Sequence, residues 1–427
     1  MSEPAPTLTM PGYRTRIAGR QVEDALRRRG AVLVEGVRGC GKTWMSRHFA
    51  RSEVRLDDET ALLLATSDPD AVMQGPTPRL LDEWQNAPQL WNRVRRECDD
   101  RPGNGQFILT GSSSPQDDVT RHTGTGRISR VLLRPMSLWE TGGSSGTASL
   151  KKLFEGESAS CLPESQPGLR DVASAICTGG WPRHLGQSED DAFSSADDYV
   201  NEIIRVDIPA ASGVRHDPTM LRRLMQSLSR NVATEAKMTK LASDMDAGHP
   251  PGRNTVSAYL DALHRIFVIE DQPAWSVNLR SKATLRREPK RHLVDPSLAA
   301  AMLRTTPERL LSDPSTFGFL FESLVVRDLR IYSQPEGGMV FHYRDNTGLE
   351  ADAVVELTDG SWIAVEIKLS TGRRTVNRAA ENLIRLRDKV SSRRASELAA
   401  LVVVAPTGAA YRRPDGVQVV PISTLGP

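Results

Sequence analysis

Cysteine pairs, long apolar runs and an excess of one charge are all missing from this 427-residue sequence. The four cysteines, Cys40, Cys98, Cys161 and Cys177, are scattered and form no CxxC pair, which argues against a disulfide framework and against a structural zinc site. The formal net charge is only +2, so any surface for nucleic acid must be local. We therefore expect a reducing compartment, the cytoplasm.

No apolar run approaches the roughly 20 residues that a membrane-spanning helix needs. The opening segment, MSEPAPTLTMPGYRTR, lacks the apolar core of a secretory signal. We therefore expect no membrane partner. The eight histidines show no H-x-H or H-x-x-x-H grouping, so histidine is assigned no metal role.

The sequence does contain alternating strand and helix patterns. Charged residues make up 25% of the chain, which is typical of a globular protein, and the length allows two to four domains. AVLVEG (31–36) is an apolar run of the kind buried in a parallel sheet. VRLDD, RLLDEW and QFILTGSSS are further candidate strands among helical segments. The pattern predicts an α/β sheet over about residues 1–140.

A phosphate-binding loop follows the first of these strands. GVRGCGKT (36–43) fits G-x-x-x-x-G-K-[ST], and it opens a helix, as that motif requires. The glycines let backbone N–H groups converge on phosphate oxygens, the lysine adds a charge for the β- and γ-phosphates, and the threonine offers a hydroxyl to Mg²⁺. A plain glycine turn is the alternative, which the flanking strand and helix disfavour. The loop predicts ATP and Mg²⁺ as cofactors, bound by Gly36, Gly39, Gly41, Lys42 and Thr43.

An acidic pair ends the strand in RLLDEWQ (79–85). In a phosphate-loop ATPase one such carboxylate binds Mg²⁺ and the other polarises the attacking water. We assign Asp82 to the metal and Glu83 to the water. A helix cap would explain the pair equally well in isolation, but its place downstream of the loop favours the catalytic role.

Two further segments offer residues to the γ-phosphate. The strand FILTGSSS would bring Thr110 and Ser112 to it, unless the strand ends in a simple turn. Arg127 and Arg130 in GRISRVLLRP are candidate arginine fingers, although an exposed arginine is usually just a solvated charge.

In this order, GVRGCGKT, LLDEWQ, LTGSS, GRISRVLLRPMSLWE and GGWP resemble a family of prokaryotic AAA-type (AAA+) ATPases, and the similarity covers nearly the whole chain. In that family a C-terminal domain of unassigned function follows, described as restriction-endonuclease-like, or PD-(D/E)xK. The resemblance implies an arginine placed on the neighbouring subunit's nucleotide, and therefore a homo-oligomer, of which a hexameric ring is one form. Trp84 departs from the smaller apolar residue usual in the family.

The middle segment (218–275) has the order of a winged helix. LRRLMQSLSRNV, KMTKLASDMD and NTVSAYLDALHRI predict three short amphipathic helices, and FVIEDQPAW predicts a strand. In such modules one helix enters the DNA major groove. Arg253 and Asn254 would begin that helix, and Lys237 and Lys240 could reach phosphates. The apolar positions of the same helix allow the alternative that the segment only packs against neighbouring domains.

The C-terminal segment supplies the residue types of a metal-dependent nuclease. PD-(D/E)xK nucleases need a helix with a Glu, a strand with an Asp, and a following strand with E-x-K. Two carboxylates bind Mg²⁺, which lowers the pKa of bound water, and the lysine stabilises the developing anion. The chain offers Glu322 in FLFESLVV, Asp352 in GLEADAVV, and Glu366 and Lys368 in WIAVEIKLS as catalytic residues, with Asp352 and Glu366 on the metal.

A solvated hairpin with one charged face is the alternative for GLEADAVVELTDGSWIAVEIKLS. Its apolar neighbours disfavour that interpretation, because buried charges must pair or bind a metal. Glu350 competes with Asp352 as the first carboxylate, since both lie on one strand face. The basic segment RSKATLRREPKRH (280–292), usually just a solvated tether, could hold a phosphate backbone beside the site.

These features predict an α/β protein with four segments and an oligomeric, Mg-ATP-dependent motor or remodeler of duplex or branched DNA. The alternative is a regulatory or defence switch whose C-terminal domain binds a partner or nucleic acid without cleavage. The sequence does not separate DNA from RNA. The predicted segments are a P-loop AAA+ ATPase core (1–140), a helical lid (141–217), a winged-helix-like domain (218–275) and a PD-(D/E)xK nuclease-like domain (276–427).

Overall fold

The computed structural model describes residues 8–112, 124–161, 167–209, 217–246, 248–277 and 288–427. Most of the predicted basic segment, residues 280–287, lies outside these ranges. No helix within them is long and apolar enough to cross a membrane. The contacts divide the chain into two compact units, which comprise the described residues of Met1–Pro135, Asp207–Arg215 and Ala262–Val268, and of Met136–Val206, His216–Asp261 and Ile269–Pro427.

The first unit is built on a five-stranded parallel sheet, which confirms the predicted parallel α/β architecture. The strands are β1 (Ala31–Glu35), β2 (Ser52–Arg55), β3 (Arg79–Asp82), β4 (Phe107–Gly111) and β5 (Ile128–Leu132). Their order in the sheet is β2-β3-β4-β1-β5, and every neighbouring pair is parallel. The carboxyl ends of β1, β4 and β3 therefore meet at one edge, where open α/β sheets bind their ligands.

Helices follow β1, β2 and β3 because a parallel crossover needs a covering element. Both central strands, β1 and β4, are apolar and buried, as a sheet covered on two faces requires. Trp84 and Trp91 pack together in the core on one face, with ring centroids 5.1 Å apart. The helices are α1 (Gly19–Arg28), α2 (Lys42–Phe49), α3 (Glu59–Ser67), α4 (Pro69–Val72) and α5 (Leu90–Asp100), and a 3₁₀ turn spans Trp84–Asn86.

The described residues between positions 136 and 333 are mainly helical. Two short strand pairs interrupt the helices: β6 (Ala148–Ser149) pairs in parallel with β15 (Leu425–Gly426), and β7 (Ile269–Gln272) pairs antiparallel with β8 (Lys290–Leu293). The helices are α6 (Leu138–Thr141), α7 (Leu150–Phe154), α8 (Leu169–Thr178), α9 (Glu189–Glu202), α10 (Pro218–Arg230), α11 (Met238–Met245), α12 (Arg253–Arg265), α13 (Pro296–Met302), α14 (Pro307–Ser312) and α15 (Pro314–Ser333), with a π-helical turn at Ile203–Asp207 and a 3₁₀ turn at Pro182–His184.

A six-stranded mixed sheet forms the C-terminal part of the second unit. Its order is β13-β14-β12-β11-β10-β9, and helix α16 crosses from β11 to the parallel strand β12. Val376, Leu383 and other apolar residues of α16 pack on the sheet around the buried Trp362. The elements are β9 (Met339–Arg344), β10 (Glu350–Glu356), β11 (Trp362–Ile367), α16 (Arg373–Lys389), α17 (Ser392–Ser396), β12 (Leu398–Ala405), β13 (Tyr411–Arg412) and β14 (Gln418–Pro421), with a 3₁₀ turn at Gln334–Glu336.

The GGWP motif (179–182) fits against the start of the second unit. The N–H of Met136 donates to the carbonyl oxygen of Gly180 at 2.5 Å. A Cβ atom on Gly180 would lie 1.9 Å from the carbonyl oxygen of Met136, so only glycine can occupy this position. The motif is therefore required for close backbone packing of two segments that are distant in sequence.

A buried ion-pair network joins this region to α15. The guanidinium of Arg327 donates to the carboxylate of Asp295 at 2.7 Å and to that of Asp328 at 2.8 and 2.9 Å, and all three side chains are almost fully buried. Asp295 also accepts from the N–H of Gly180, and Asp328 accepts from the N–H of Leu138. Each buried charge is thus paired and hydrogen-bonded, as burial demands.

Candidate functional site

The phosphate-binding loop leaves β1 at the carboxyl edge of the parallel sheet. Gly36, Gly39 and Gly41 have φ angles of 154°, 79° and 98°, all of which residues with a side chain rarely adopt. A Cβ atom on Gly36 would lie 2.1 Å from the carbonyl oxygen of Leu133. The glycines therefore allow a tight backbone curve that other residues could not form, and α2 begins directly after it at Lys42.

Two cations hold the loop through its carbonyl groups. The Nζ atom of Lys42 donates to the carbonyl oxygens of Gly36 and Val37, at 2.9 and 3.0 Å. Arg16, which is buried, donates to the carbonyl oxygen of Cys40 at 2.7 Å. Arg16 could not be singled out from the sequence, because no motif places it beside the loop.

Asp82 accepts hydrogen bonds from two threonine hydroxyl groups beside the loop. The hydroxyl of Thr43 donates to Asp82 Oδ1 at 2.9 Å, and the hydroxyl of Thr110 donates to the same oxygen. A threonine hydroxyl next to a carboxylate supplies the oxygen ligands that Mg²⁺ prefers. Thr43 and Asp82 therefore fit the metal that accompanies a nucleotide, and they are the residues that would hold it.

Glu83 follows Asp82 in a left-handed backbone conformation, with φ 55° and ψ 45°. This region is uncommon for residues other than glycine and is enriched at functional sites. Its N–H donates to the hydroxyl of Thr110 at 3.2 Å, and the side-chain amide of Gln85 donates to its carboxylate. Thr110 thus uses its hydroxyl both as donor and as acceptor and fixes the two acidic residues relative to each other.

The remaining predicted residues lie at other places along the same sheet, and Arg127, which directly precedes β5, is at its amino edge, opposite to the loop. Ser112 directly follows β4, at the carboxyl edge of the sheet. Arg127 is exposed and pairs with Asp99 at 2.8 Å. Arg130 pairs with Glu35 at 2.9 Å and lies over the ring of Trp91, 5.6 Å from its centroid. Burial raises the pKa of the Glu35 carboxyl, although Arg130 opposes this effect.

In the second unit, four predicted residues converge from separate elements. Lys368 Nζ lies 2.9 Å from Asp352 Oδ2 and 2.5 Å from Glu366 Oε2. Glu322, on α15, pairs with Lys290 Nζ at 2.6 Å. The charges of Asp352 and Lys368 also influence the pKa of Glu322, so the two ion pairs form one electrostatic cluster. We call these five residues the carboxylate–lysine cluster.

A β-bulge places Asp352 in this cluster. The pairing of β10 with β9 shifts register between Ala351 and Val354, so the strand has extra length beside Asp352. Bulges re-aim side chains and are frequent near active sites. Glu350, the competing carboxylate, pairs instead with Arg344 at 3.0 Å and is nearly half exposed.

The pKa of Asp352 is lowered below its usual value. Burial acts to raise it, but the ammonium groups of Lys368 and Lys290 and the N–H of Ile367, which donates at 2.7 Å, outweigh burial. Asp352 is therefore held as a carboxylate that faces two cations.

The two glutamates of the cluster behave in the opposite way. Burial raises the pKa of Glu366 to about 8, and the charge of Asp352 adds to this effect while Lys368 opposes it. Burial likewise raises the pKa of Glu322 to about 7, against the effect of Lys290. One ionised carboxylate beside two that hold protons more tightly is the expected result of crowding like charges in a buried site.

The carboxylates of Asp352 and Glu366 also fit Mg²⁺, because both already contact one cationic group, Lys368 Nζ. Within the described ranges no group of three or more His, Cys, Asp or Glu side chains is arranged to hold a metal ion. A cation on this pair would therefore need further oxygen ligands from water or from a phosphate, as Mg²⁺ commonly uses.

The middle segment forms three helices, α10 to α12, followed by the β7–β8 pair. Lys237 precedes α11, and Lys240 pairs with Asp244 at 2.7 Å. Arg253 begins α12, in which Val256 and Leu263 are fully buried. At least part of the predicted recognition helix is therefore core.

A separate groove of about 430 Å³ is lined by residues that include Arg223, Arg230 and Arg304.

Comparison with known families divides the chain into three matched parts. Residues 28–142 match the family model described as an AAA domain. Residues 169–309 and 317–425 match two models that are each described as a domain of unknown function, DUF8612 and DUF4143. The parallel sheet, the phosphate-binding loop and the AAA match over residues 28–142 together support an AAA-type P-loop ATPase segment with ATPase activity. The restriction-endonuclease-like interpretation of the C-terminal segment stays a prediction.

Similar proteins give no further assignment. Two uncharacterized proteins, from Mycobacterium bovis and Mycobacterium tuberculosis, are each 25% identical to this chain over 378 residues, which covers 86% of it and 77% of the relative. The Walker-type ATPase paby2304 of Pyrococcus abyssi is 13% identical, covers 70% of this chain and 98% of its own, and gives a TM-score of 0.43. Replication initiator DnaA bound to AMPPCP and single-stranded DNA is 12% identical, with coverages of 60% and 91% and a TM-score of 0.28.

Proposed function

We propose that this protein is a Mg-ATP-dependent, oligomeric AAA+ ATPase that acts on DNA, and that its C-terminal part is a PD-(D/E)xK nuclease-like domain that binds or cleaves DNA. The observation that most strongly supports the ATPase proposal is the hydrogen bond from Thr43 to Asp82 beside the loop. The loop amides and Lys42 bind the phosphates, Thr43 and Asp82 hold Mg²⁺, and Glu83 activates water. Mg²⁺ supplies charge neutralisation on the phosphates. Arg127 and Arg130 are kept as finger candidates, and each would have to leave its present ion pair.

The observation that most strongly supports the proposed action on DNA is the carboxylate–lysine cluster. Three carboxylates and two lysines from a helix and three strands meet in one buried site, although Lys290 and Glu322 are 32 residues apart in sequence and the pair of Asp352 and Lys368 is 16 residues apart. Burial of so many charges is costly and is characteristic of sites that handle ions. Asp352 and Glu366 would hold Mg²⁺, and Lys368 would stabilise the developing anion on a phosphodiester. The winged-helix-like segment and the four predicted domain boundaries belong to this proposal.

The proposal is tested by offering branched, duplex and single-stranded DNA with Mg²⁺ and ATP, and by recording binding, ATP hydrolysis and cleavage together. Asp352→Ala should abolish cleavage without lowering the basal ATPase rate. Glu350→Ala is the matched control, because Glu350 lies on the same strand but is nearly half exposed. Cleavage that persists in Asp352→Ala would refute the metal site.

A specific observation favours a second candidate, an ATP-driven switch that binds nucleic acid or a partner without cutting. Lys368 already contacts both carboxylates that the metal would need, so the cluster is compensated by the chain's own charges. DNA that stimulates ATP hydrolysis by wild-type protein favours the motor. DNA binding with an unchanged ATPase rate and intact DNA favours the switch.

A further inference from the structure

Lys290 belongs to the carboxylate–lysine cluster, although its sequence context is a basic tether. Its Nζ atom donates to Glu322 Oε1 at 2.6 Å, and only about one-eighth of either side chain is exposed. An ammonium group has three N–H donors. Among the described residues Glu322 is its one hydrogen-bond partner, so two donors remain for a ligand. Buried donors of this kind are normally satisfied by a partner or by water.

The strand that carries Lys290 is fixed on the site by a second set of contacts. His292 lies two residues along β8, hence on the same face. Its ring nitrogens contact the hydroxyl of Ser323, at 3.2 Å, and the side-chain oxygen of Gln272, at 3.0 Å. Ser323 directly follows Glu322 on α15. Two alternate residues of β8 therefore contact two successive residues of α15, and the ammonium of Lys290 has little freedom to move away.

The same network reaches the bulge that carries Asp352. Gln272 donates from its side-chain amide to the carbonyl oxygens of Asp352, at 3.0 Å, and Phe341, at 2.9 Å. Burial lowers the pKa of His292 well below its usual value, so the ring is neutral and offers one donor and one acceptor. The position of Lys290 is thus tied to that of Asp352 by side chains that carry no net charge.

Lys290 and Lys368 contact different carboxylate groups. Lys368 contacts the two carboxylates assigned to the metal, whereas the partner of Lys290, Glu322, is outside that pair. We propose, on the basis of the proposed function, that Lys290 is a second phosphate-binding residue of the C-terminal site and that Glu322 is its counter-ion. Its ligand is a phosphodiester oxygen of a nucleic acid, and this contact does not depend on a divalent cation.

The experiment measures binding of a fluorescein-labelled duplex DNA by the full-length protein, in Ca²⁺ and separately in EDTA, over a series of salt concentrations. Lys290→Gln should weaken binding about tenfold in both conditions and make the plot of log affinity against log salt less steep by about one. Lys290→Arg should retain most of the affinity. Lys152→Gln is the control, because Lys152 is an exposed lysine of the same unit.

The double variant Lys290→Gln, Glu322→Gln separates phosphate binding from a purely structural role. It replaces the ion pair by a neutral hydrogen-bonded pair and so avoids an uncompensated buried carboxylate. If Lys290 binds phosphate, the double variant binds DNA as weakly as Lys290→Gln, and Glu322→Gln alone binds at least as tightly as wild type. If the double variant recovers wild-type affinity, Lys290 only neutralises Glu322 and the proposal is overturned.

Failure of this proposal is distinguishable from failure of the proposed function. Wild-type protein that binds DNA, with loss in Lys368→Gln but not in Lys290→Gln, overturns the role of Lys290 and leaves the proposed function intact. Wild-type protein that binds no DNA in either condition overturns both. Circular dichroism of each variant checks that the fold is retained.

Discussion

Replacing Arg327 by methionine should destabilise the second unit strongly. The guanidinium is the partner of two carboxylates, Asp295 and Asp328, that are completely buried. Breaking a buried ion pair by removing one partner costs about 3–5 kcal/mol. Both carboxylates keep other hydrogen-bond donors, among them the N–H groups of Gly180 and Leu138. We therefore expect the free energy of unfolding to fall by about 3 kcal/mol, the lower end of this range. This loss is a large part of the free energy of unfolding of a typical domain, which is about 5–15 kcal/mol.

Hydrogen exchange of the amides of α15 is the suitable assay, because a chain with two compact units need not unfold in one step. Arg393→Met is the control: its side chain is 83% exposed and pairs with Glu397, and such surface pairs contribute less than about 1 kcal/mol. The neutral triple variant Asp295→Asn, Arg327→Met, Asp328→Asn should recover much of the lost stability.

The prediction for Arg327→Met can be refuted in two ways. One is exchange in α15 that stays within about 1 kcal/mol of wild type, which would mean that the carboxylates tolerate burial without a cation. The other is a triple variant no more stable than the single one, which would mean that the loss comes from packing rather than from charge. Burial already raises the pKa of Asp328, so the loss should also shrink as the pH falls and the carboxyl takes up a proton.

Three further predictions concern the two sites. Glu83→Gln should abolish ATP turnover and keep binding of a fluorescent ATP analogue; normal turnover would remove Glu83 from the mechanism. Gly36→Ala should lose nucleotide affinity at least tenfold, because its Cβ would collide with the carbonyl oxygen of Leu133; unchanged affinity in the same assay would contradict the loop geometry. In EDTA, the exchange stability of β10 and β11 should fall by at least about 1.4 kcal/mol per pH unit from about pH 5 to pH 7, because native Glu366 keeps its proton up to about pH 8 while the unfolded chain releases it near 4.5, and Glu322, whose pKa is raised to about 7, adds to the fall. Glu366→Gln should reduce the fall by about 1.4 kcal/mol per pH unit, and stability that stays flat or rises with pH in wild type would refute the raised pKa.

Local patterns in the sequence were sufficient to predict the parallel sheet and the loop. β1, the glycines and α2 are adjacent in the chain, and their motif is fixed by backbone geometry. The pairing of Thr110 with Asp82 could only be guessed, because it depends on β4 lying beside β3 in the sheet. Arg130 was a finger candidate by its motif, and its contacts with Glu35 and Trp91 were invisible without the fold.

In the C-terminal site, period-two alternation placed Glu366 and Lys368 on one face, and their charged groups do contact each other. Alternation could not choose between Glu350 and Asp352, because the bulge that separates them depends on the register with β9. The sequence predicts Lys290 only as one member of a basic segment that could hold a phosphate backbone, and its pairing with Glu322 could not be foreseen. Lys290 precedes Glu322 by 32 residues, and no local pattern shows that a basic segment ends as a strand against α15.

Helix α15 carries Glu322 and Arg327 on one rigid body. Their separation of five positions in the chain corresponds to about 7.5 Å along the helix axis. A tilt of about 10° about the Arg327 end would displace the Glu322 carboxylate by about 1.3 Å, by simple trigonometry on that length. Such a displacement would break a 2.6 Å contact with Lys290. A small change in the buried ion-pair network of Arg327 beside the GGWP motif should therefore move the Glu322 carboxylate. Such a change should alter the proposed phosphate site without replacing any residue of that site.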